Sequence, residues 1–270
     1  MDRRRHGSNM LWPLGGAATL LYVAFIGLPL FALAVQALRG GRFFDSLTEP
    51  LVLAALRLSA VTTAVSLLVI VVVGTPLAYL LARGRGSVLR AVDLLVELPI
   101  VLPPVVGGVA LLMAFGRRGL LGGSLQAVGI ALPFTTAAVV FAQVFVSAPF
   151  YVRAARLGFQ AVDRRLEDVS NTLGVSPWQT FWRLSLPLAW PSLVGGIALA
   201  WARALSEFGA TIMFAGNFTG RTQTLPLAIL SAMESDIPAA LALSFLAVLI
   251  SAALLVVLGI GGRTWGRRQA

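Results

Sequence analysis

Arg203 and Glu207 are the residues of this sequence best placed to do chemistry: a cation and an acid four positions apart, in a stretch otherwise built from apolar and small residues. Charges inside a membrane are costly and as a rule face a bundle interior in pairs. The pair therefore either ties helices together or sits beside a path, where Arg203 lowers the barrier to an anion and Glu207 fixes its position. The chain has no Cys, and its single His, His6, lies in a polar N-terminal stretch. Disulfides, thiolate metal sites, Fe–S clusters and cysteine nucleophiles are excluded. All 21 basic residues are Arg. A P-loop needs a Lys to reach the β/γ-phosphates, so any nucleotide energy must come from another subunit. No catalytic constellation is left, and neither a metal nor a cofactor is expected on this chain.

The elements that hold these residues are membrane helices. Of 270 residues, 58% are apolar and 12% charged, against about 45–50% and about 25% in a soluble domain, and the mean hydropathy is +0.88. Apolar runs at 11–38, 51–82, 94–115, 134–152, 189–215 and 239–260 give six spans, each close to or above the roughly 20 residues a spanning helix needs. The 51–82 run would extend roughly 48 Å at helical rise and must tilt or project; Arg57 near its start can snorkel. Six spans put both termini on one side. With Arg3, Arg4, Arg5, Arg263, Arg267 and Arg268 at the termini, that side also receives Arg83, Arg85, Arg90, Arg153, Arg156, Arg164, Arg165 and Arg183. The other side receives Arg39, Arg42, Arg117, Arg118 and Arg221. The positive-inside rule makes the first side cytoplasmic and accounts for the net charge of +10 without nucleic acid. The basic start precedes an apolar run too long for a signal peptide, so an uncleaved span is expected.

The long cytoplasmic connection after residue 153 reads as two short helices. Asp163 caps the first, Leu166, Val169 and Leu173 share one face, and Gly174 ends it in a left-handed conformation. Ser176-Pro177 opens the second as N-cap and N1, with Trp178, Phe181 and Trp182 on its apolar face. Glu167, then Gly174, then Arg183-Leu184-Ser185-Leu186-Pro187 resembles the EAA loop of ABC-importer permeases, whose pattern is Glu-Ala-Ala, a Gly four residues after it and a closing Ile-x-Leu-Pro. Glu167 stands at the acid, Asp168 and Val169 at the alanines, and Leu184 at the isoleucine, followed by Leu186 and Pro187. In that family the loop docks on a cytoplasmic ATPase, and the resemblance implies that Glu167 and Gly174 define the contact.

The third span opens with Glu97-Leu98-Pro99-Ile100-Val101-Leu102-Pro103-Pro104-Val105-Val106-Gly107-Gly108. Three prolines in six residues break a helix, and irregular backbone at membrane depth must be buried in protein or line a wet cavity. Pro103 and Pro104 thus mark either a kinked helix that packs on its neighbours or a pathway-lining element, in which Gly107 and Gly108 allow another helix close. The run Ala204-Leu205-Ser206-Glu207-Phe208-Gly209-Ala210-Thr211-Ile212, with Asn217 and the Gly220–Ala228 stretch, resembles the molybdate permeases of the sulfate/molybdate/tungstate group, as does the Pro-rich span. Phe208, Gly209 and Thr211 join the gate candidates on that likeness.

The resemblance implies an all-α integral membrane protein of six helices with the type I importer permease fold and a cytoplasmic coupling helix. Residues 1–50 form the N-terminal tail and first span, 51–260 the transmembrane domain with its EAA-type loop at about 161–188, and 261–270 a cytoplasmic tail. It further implies a homodimer in a bacterial cell membrane, with two ATPase subunits carrying ATP and Mg inside and an extracytoplasmic oxyanion-binding protein outside. Sulfate, thiosulfate or tungstate are alternative cargoes. A secondary oxyanion transporter would usually show inverted repeats and midplane ionisable residues, and no convincing repeat is present.

Overall fold

The computed structural model describes residues 8–39, 41 and 43–266. Arg3, Arg4, Arg5, His6, Arg42, Arg267 and Arg268 lie outside them. Every regular element among the described residues is helical. In chain order these are α1 (Ser8–Arg39), α2 (Phe43–Thr48), α3 (Pro50–Arg83), α4 (Ser87–Val101), α5 (Pro104–Phe115), α6 (Gly122–Ala127) and α7 (Thr136–Ala161). Then follow α8 (Arg164–Thr172), α9 (Pro177–Thr180), α10 (Leu186–Leu205), α11 (Gly209–Ala215), α12 (Leu225–Ser235) and α13 (Ile237–Gly266). A single π turn, Phe181–Ser185, joins α9 to α10.

Five helices among the described residues are long and apolar enough to cross a membrane: α1, α3, α7, the continuous Pro177–Leu205 helix and α13. The expected third span is two helices, α4 and α5, separated at Leu102-Pro103, where consecutive prolines leave carbonyls without donors. The expected fourth span is longer than its apolar run, because α7 continues past Arg153 and Arg156 to Ala161. The expected fifth span breaks after Leu205 and resumes as α11.

The bundle is organised around α3, α7 and α10. Their contact is close because small residues face one large one. A Cβ on Gly74 would stand 3.0 Å from the Tyr151 ring, and one on Gly196 would stand 3.0 Å from the Ala154 methyl and 3.2 Å from Tyr151. Gly158 lies against Ser192 in the same way. Without a hydrophobic drive between helices in lipid, such backbone approach is what holds them. Tyr151 is fully buried and its hydroxyl shares a 2.6 Å hydrogen bond with Thr75 of α3.

Around this trio, α5 and α11 pack on α7 at the end away from the 162–185 loop, α12 and α13 close the other flank against α3 and α10, and α1 leans on α13. The apolar face of α1 from Leu20 to Phe31 is exposed, as expected of a lipid-facing helix.

The contact of α5 with α11 has no slack: a Cβ on Gly108 would lie 2.8 Å from the Ala210 Cα and 2.7 Å from the Met213 Cβ. Gly108→Val is therefore expected to lower stability by about 2 kcal/mol, the usual cost of overpacking. Gly195→Ala, where no atom lies within 4 Å, should leave stability unchanged or slightly raised. Thermal unfolding in detergent checks both.

Candidate functional site: the loop elbow and the broken helices

Two regions gather the residues singled out above. The first is the 162–185 loop. Its local structure follows from its capping residues: the Asp163 carboxylate accepts from the Arg165 amide at 2.9 Å, and the Ser176 hydroxyl accepts from the Gln179 amide at 3.3 Å. Gly174 sits between them at φ +77°, with open space where a side chain would go. The second helix is not a separate one. It runs into α10 through the π turn, in which the Leu186 amide reaches back to the Phe181 carbonyl. That shift immediately precedes Pro187, which has no N–H and would crowd the carbonyl four residues before it.

Glu167 is the centre of this loop. Its Oε1 accepts from Arg83 Nη2 at 2.7 Å and Nε at 3.1 Å, and from the Ser185 hydroxyl at 2.6 Å. Arg83 also donates to the Val162 carbonyl at 3.2 Å, and Arg164 donates back to the carbonyls of Ala82 and Arg83. One carboxylate thus joins the last residue of α3, the first turn of α8 and the residue that leads into α10. Ser170 and Thr180 add a 2.8 Å bond between the two arms of the loop.

Glu167 thus turns toward its own chain, beside the surface expected to dock. Both side chains of the Arg83–Glu167 pair are only 13% exposed, and Glu167 is spent on its own chain. Counted back from Gly174 by the four-residue spacing of the EAA pattern, the acid falls on Asp168, which is exposed. Among its exposed charged residues the loop also presents apolar ones outward: Leu166, Val169, Leu173, Trp178 and Trp182 are all exposed. Beneath them Phe181 packs edge-on to Tyr79 of α3 at 4.9 Å, close to Phe159 of α7. Leu184 and Leu186 are half-buried and Pro187 is exposed. Arg83 and Ser185 escaped the sequence reading. The available signal was a charged residue closing an apolar run, with an acid to pair with in the next polar segment.

The second region is the break between α10 and α11. Glu207 is 1% exposed; its Oε1 accepts from the Ala210 amide at 2.7 Å and so caps α11, while Oε2 lies 2.8 Å from Arg203 Nη2. The Arg203 side chain is 24% exposed, so the pair is buried at its acid end and open at its cation end. Gly209 lies against Pro104, where a Cβ would stand 2.8 Å from the proline Cβ. Gly107 faces Phe145. Pro103 and Pro104 are exposed, Phe208 is half-buried, and Thr211 is fully buried. The structure therefore brings Pro104, Gly108, Glu207 and Gly209 together where the two broken helices meet, while Gly107 packs on α7 and Thr211 is buried within α11.

After α11 the chain turns back into the bundle instead of forming an outer loop. Gly216 turns at φ +73°, the Thr222 hydroxyl accepts from the Phe218 amide, and both Asn217 and Gln223 donate to Ser231. The Leu225 amide donates to Ser59 of α3 at 2.7 Å. Further along α3, Ser66 bonds Gln143 of α7 at 2.9 Å. These spans carry polar residues at helical spacing, Ser59, Thr62, Thr63 and Ser66, all buried. That polar stripe within an apolar run was the missed signal that something returns to meet it. The 420 Å³ cavity between α10, α12 and α13 is lined by Ala202, Ser206, Leu225 and Ser251 among mainly aliphatic neighbours, with no charged side chain in its lining.

Known proteins with this pattern agree with this architecture. Residues 74–268 match the family described as binding-protein-dependent transport system inner membrane component. The chain is 48% identical over 242 residues to the molybdenum transport system permease protein ModB of Mycobacterium tuberculosis, covering 90% of each. It is 39% identical over 194 residues to the molybdate/tungstate transport system permease protein WtpB of Thermococcus kodakarensis, covering 72% of this chain and 73% of that one. In fold it is similar to a chain of the bacterial alginate ABC transporter in complex with alginate pentasaccharide-bound periplasmic protein. That likeness has a TM-score of 0.77 at 14% identity and covers 96% and 94% of the two chains.

Breaking the Glu167 knot leaves Arg83 without its main acceptor, at an expected cost of about 2 kcal/mol. That is a roughly 30-fold rise in the open population of the loop, which proteolysis reads when opening is fast. Glu167→Ala should speed tryptic cleavage after Arg164 and Arg165 by that order, and Asp168→Ala should leave it unchanged.

Proposed function

Because the chain belongs to the binding-protein-dependent transport system inner membrane components, a family of multi-pass ABC importer permeases, we propose that it is the gate through which a tetrahedral oxyanion, molybdate first, enters the cytoplasm. The observation that carries the cargo is the 48% identity to a molybdenum permease over nine-tenths of both chains. Tungstate follows as a second cargo from the likeness to a molybdate/tungstate permease.

The chain carries no nucleotide site of its own in this reading. ATP and Mg sit on a partner ATPase that grips the apolar outward face of the loop, Leu166, Val169, Leu173, Trp178 and Trp182. Termini and loop are cytoplasmic in this reading, which the distribution of Arg supports. Two copies of the chain form the conduit, and an extracytoplasmic binding protein delivers the anion. The geometry favours this mechanism because the loop is not a tether. Glu167 fastens it to α3 and, through Ser185, to α10, so displacement of the loop is displacement of both spans.

At the other end of α10, Arg203 offers its partly open guanidinium to the passing anion, while Glu207, held by the Ala210 amide, keeps that guanidinium in place. A single half-paired cation lowers the barrier without creating a trap, which is what conduction requires.

Vesicles holding the chain, its ATPase and its binding protein should accumulate molybdate only when ATP is supplied, and should continue with the ion gradient collapsed. Arg203→Gln should reduce that uptake by about tenfold, equivalent to about 1.4 kcal/mol on the barrier, at unchanged expression and ATPase association. Uphill uptake by the chain alone overturns the reading.

A further inference from the structure

At the loop end of the bundle a cavity of about 310 Å³ opens between α3, α4 and α7, lined by Arg85, Arg90, Asp93 and Arg156 together with Gly84 and Gly86. Asp93 is held in an ion pair by Arg156. Arg85 and Arg90 have no ion-pair partner among the described residues. Three guanidinium groups thus share a cavity with one carboxylate. The first turn of α4 adds backbone amides that no side chain caps.

A second cavity, of about 280 Å³, lies about one helical turn deeper on each of the same three helices. From Leu81 it moves to Leu77 on α3, from Asp93 to Val96 on α4, and from Arg156 to Val152 on α7. Its lining is apolar. Leu95 lines its open side, and beside it α4 exposes Leu94 and Val101 outward.

We propose that this groove binds one anionic phospholipid of the cytoplasmic leaflet, its phosphate among Arg85, Arg90 and Arg156 and an acyl chain in the apolar cavity beneath. Basic residues at the cytoplasmic surface attract anionic headgroups, and the apolar cavity beneath them gives one acyl chain a matching place to lie. A free oxyanion would use the basic cavity alone; the lipid uses both, in the order in which they are stacked. The proposal rests on the cytoplasmic placement of the α3–α4 connection given above, but its readout is independent of transport, so either can fail without the other.

The test is native mass spectrometry of the full chain, purified in detergent and supplied with phosphatidylglycerol or phosphatidylcholine. One phosphatidylglycerol per chain should be retained in preference to phosphatidylcholine, and excess inorganic phosphate should not displace it. The double variant Arg85→Gln/Arg90→Gln, altered only at exposed positions, should weaken retention at least tenfold with unchanged thermal unfolding. Leu95→Trp, which crowds the apolar cavity and keeps every charge, should weaken it too. Equal retention of both lipids, undiminished retention by the double variant or by Leu95→Trp, or displacement by inorganic phosphate would overturn the proposal.

Discussion

The Glu167 carboxylate is the interaction on which the working of this molecule depends. A membrane helix bundle can be driven from outside only through an element that does not yield, and a surface loop yields by default because few of its backbone bonds are buried. Here one oxygen collects two bonds from Arg83 and one from Ser185, and Phe181 wedges its ring against Tyr79. The loop is thereby part of α3 and α10. The π turn serves the same end: it absorbs Pro187 without a break, so the helix that begins outside the bundle at Pro177 is the one that ends at Leu205.

At the far end of that helix the constraint reverses. A gate must contain backbone that is not helical, and lipid forbids bare amides and carbonyls. The chain resolves this by burying its irregular segment in its own polar groups. Glu207 caps α11, Thr222 closes the turn, and Ser59 takes the Leu225 amide. The paired glycines complete the arrangement, since α11 can lie against α5 only where Gly108 and Gly209 give it room. The stiff loop and the broken helices are joined by α10, which in the proposed mechanism carries motion from one to the other.

Much of this was legible in the sequence, for definite reasons. Spans are written in composition, so their number and approximate limits follow from apolar runs; caps are local, so Asp163, Gly174 and Ser176-Pro177 took the positions their chemistry requires. The proline cluster announced the break between α4 and α5. What could not be read was tertiary. Nothing local says that Glu167 turns inward to Arg83, eighty-four positions away, while Asp168 beside it stays exposed. Nor does an apolar run from 189 to 215 reveal that it breaks at Ser206 and that the following segment folds back onto Ser59. The signals existed as a polar stripe on α3 and unmatched charges at span ends, but their meaning depends on which helices are neighbours.

The most direct test of the central claim is a distance within the chain as the transporter works. The absence of cysteine lets Asn171→Cys, an exposed loop position outside the gripped apolar face, and Leu80→Cys on α3 be spin-labelled without background. Pulsed electron resonance on the assembled transporter, without nucleotide and then with ATP trapped, measures their separation. The account predicts a single narrow distance that nucleotide does not change, because loop and span move as one piece. A distance that shifts or broadens when ATP binds would mean that the loop moves on its own, and would contradict it.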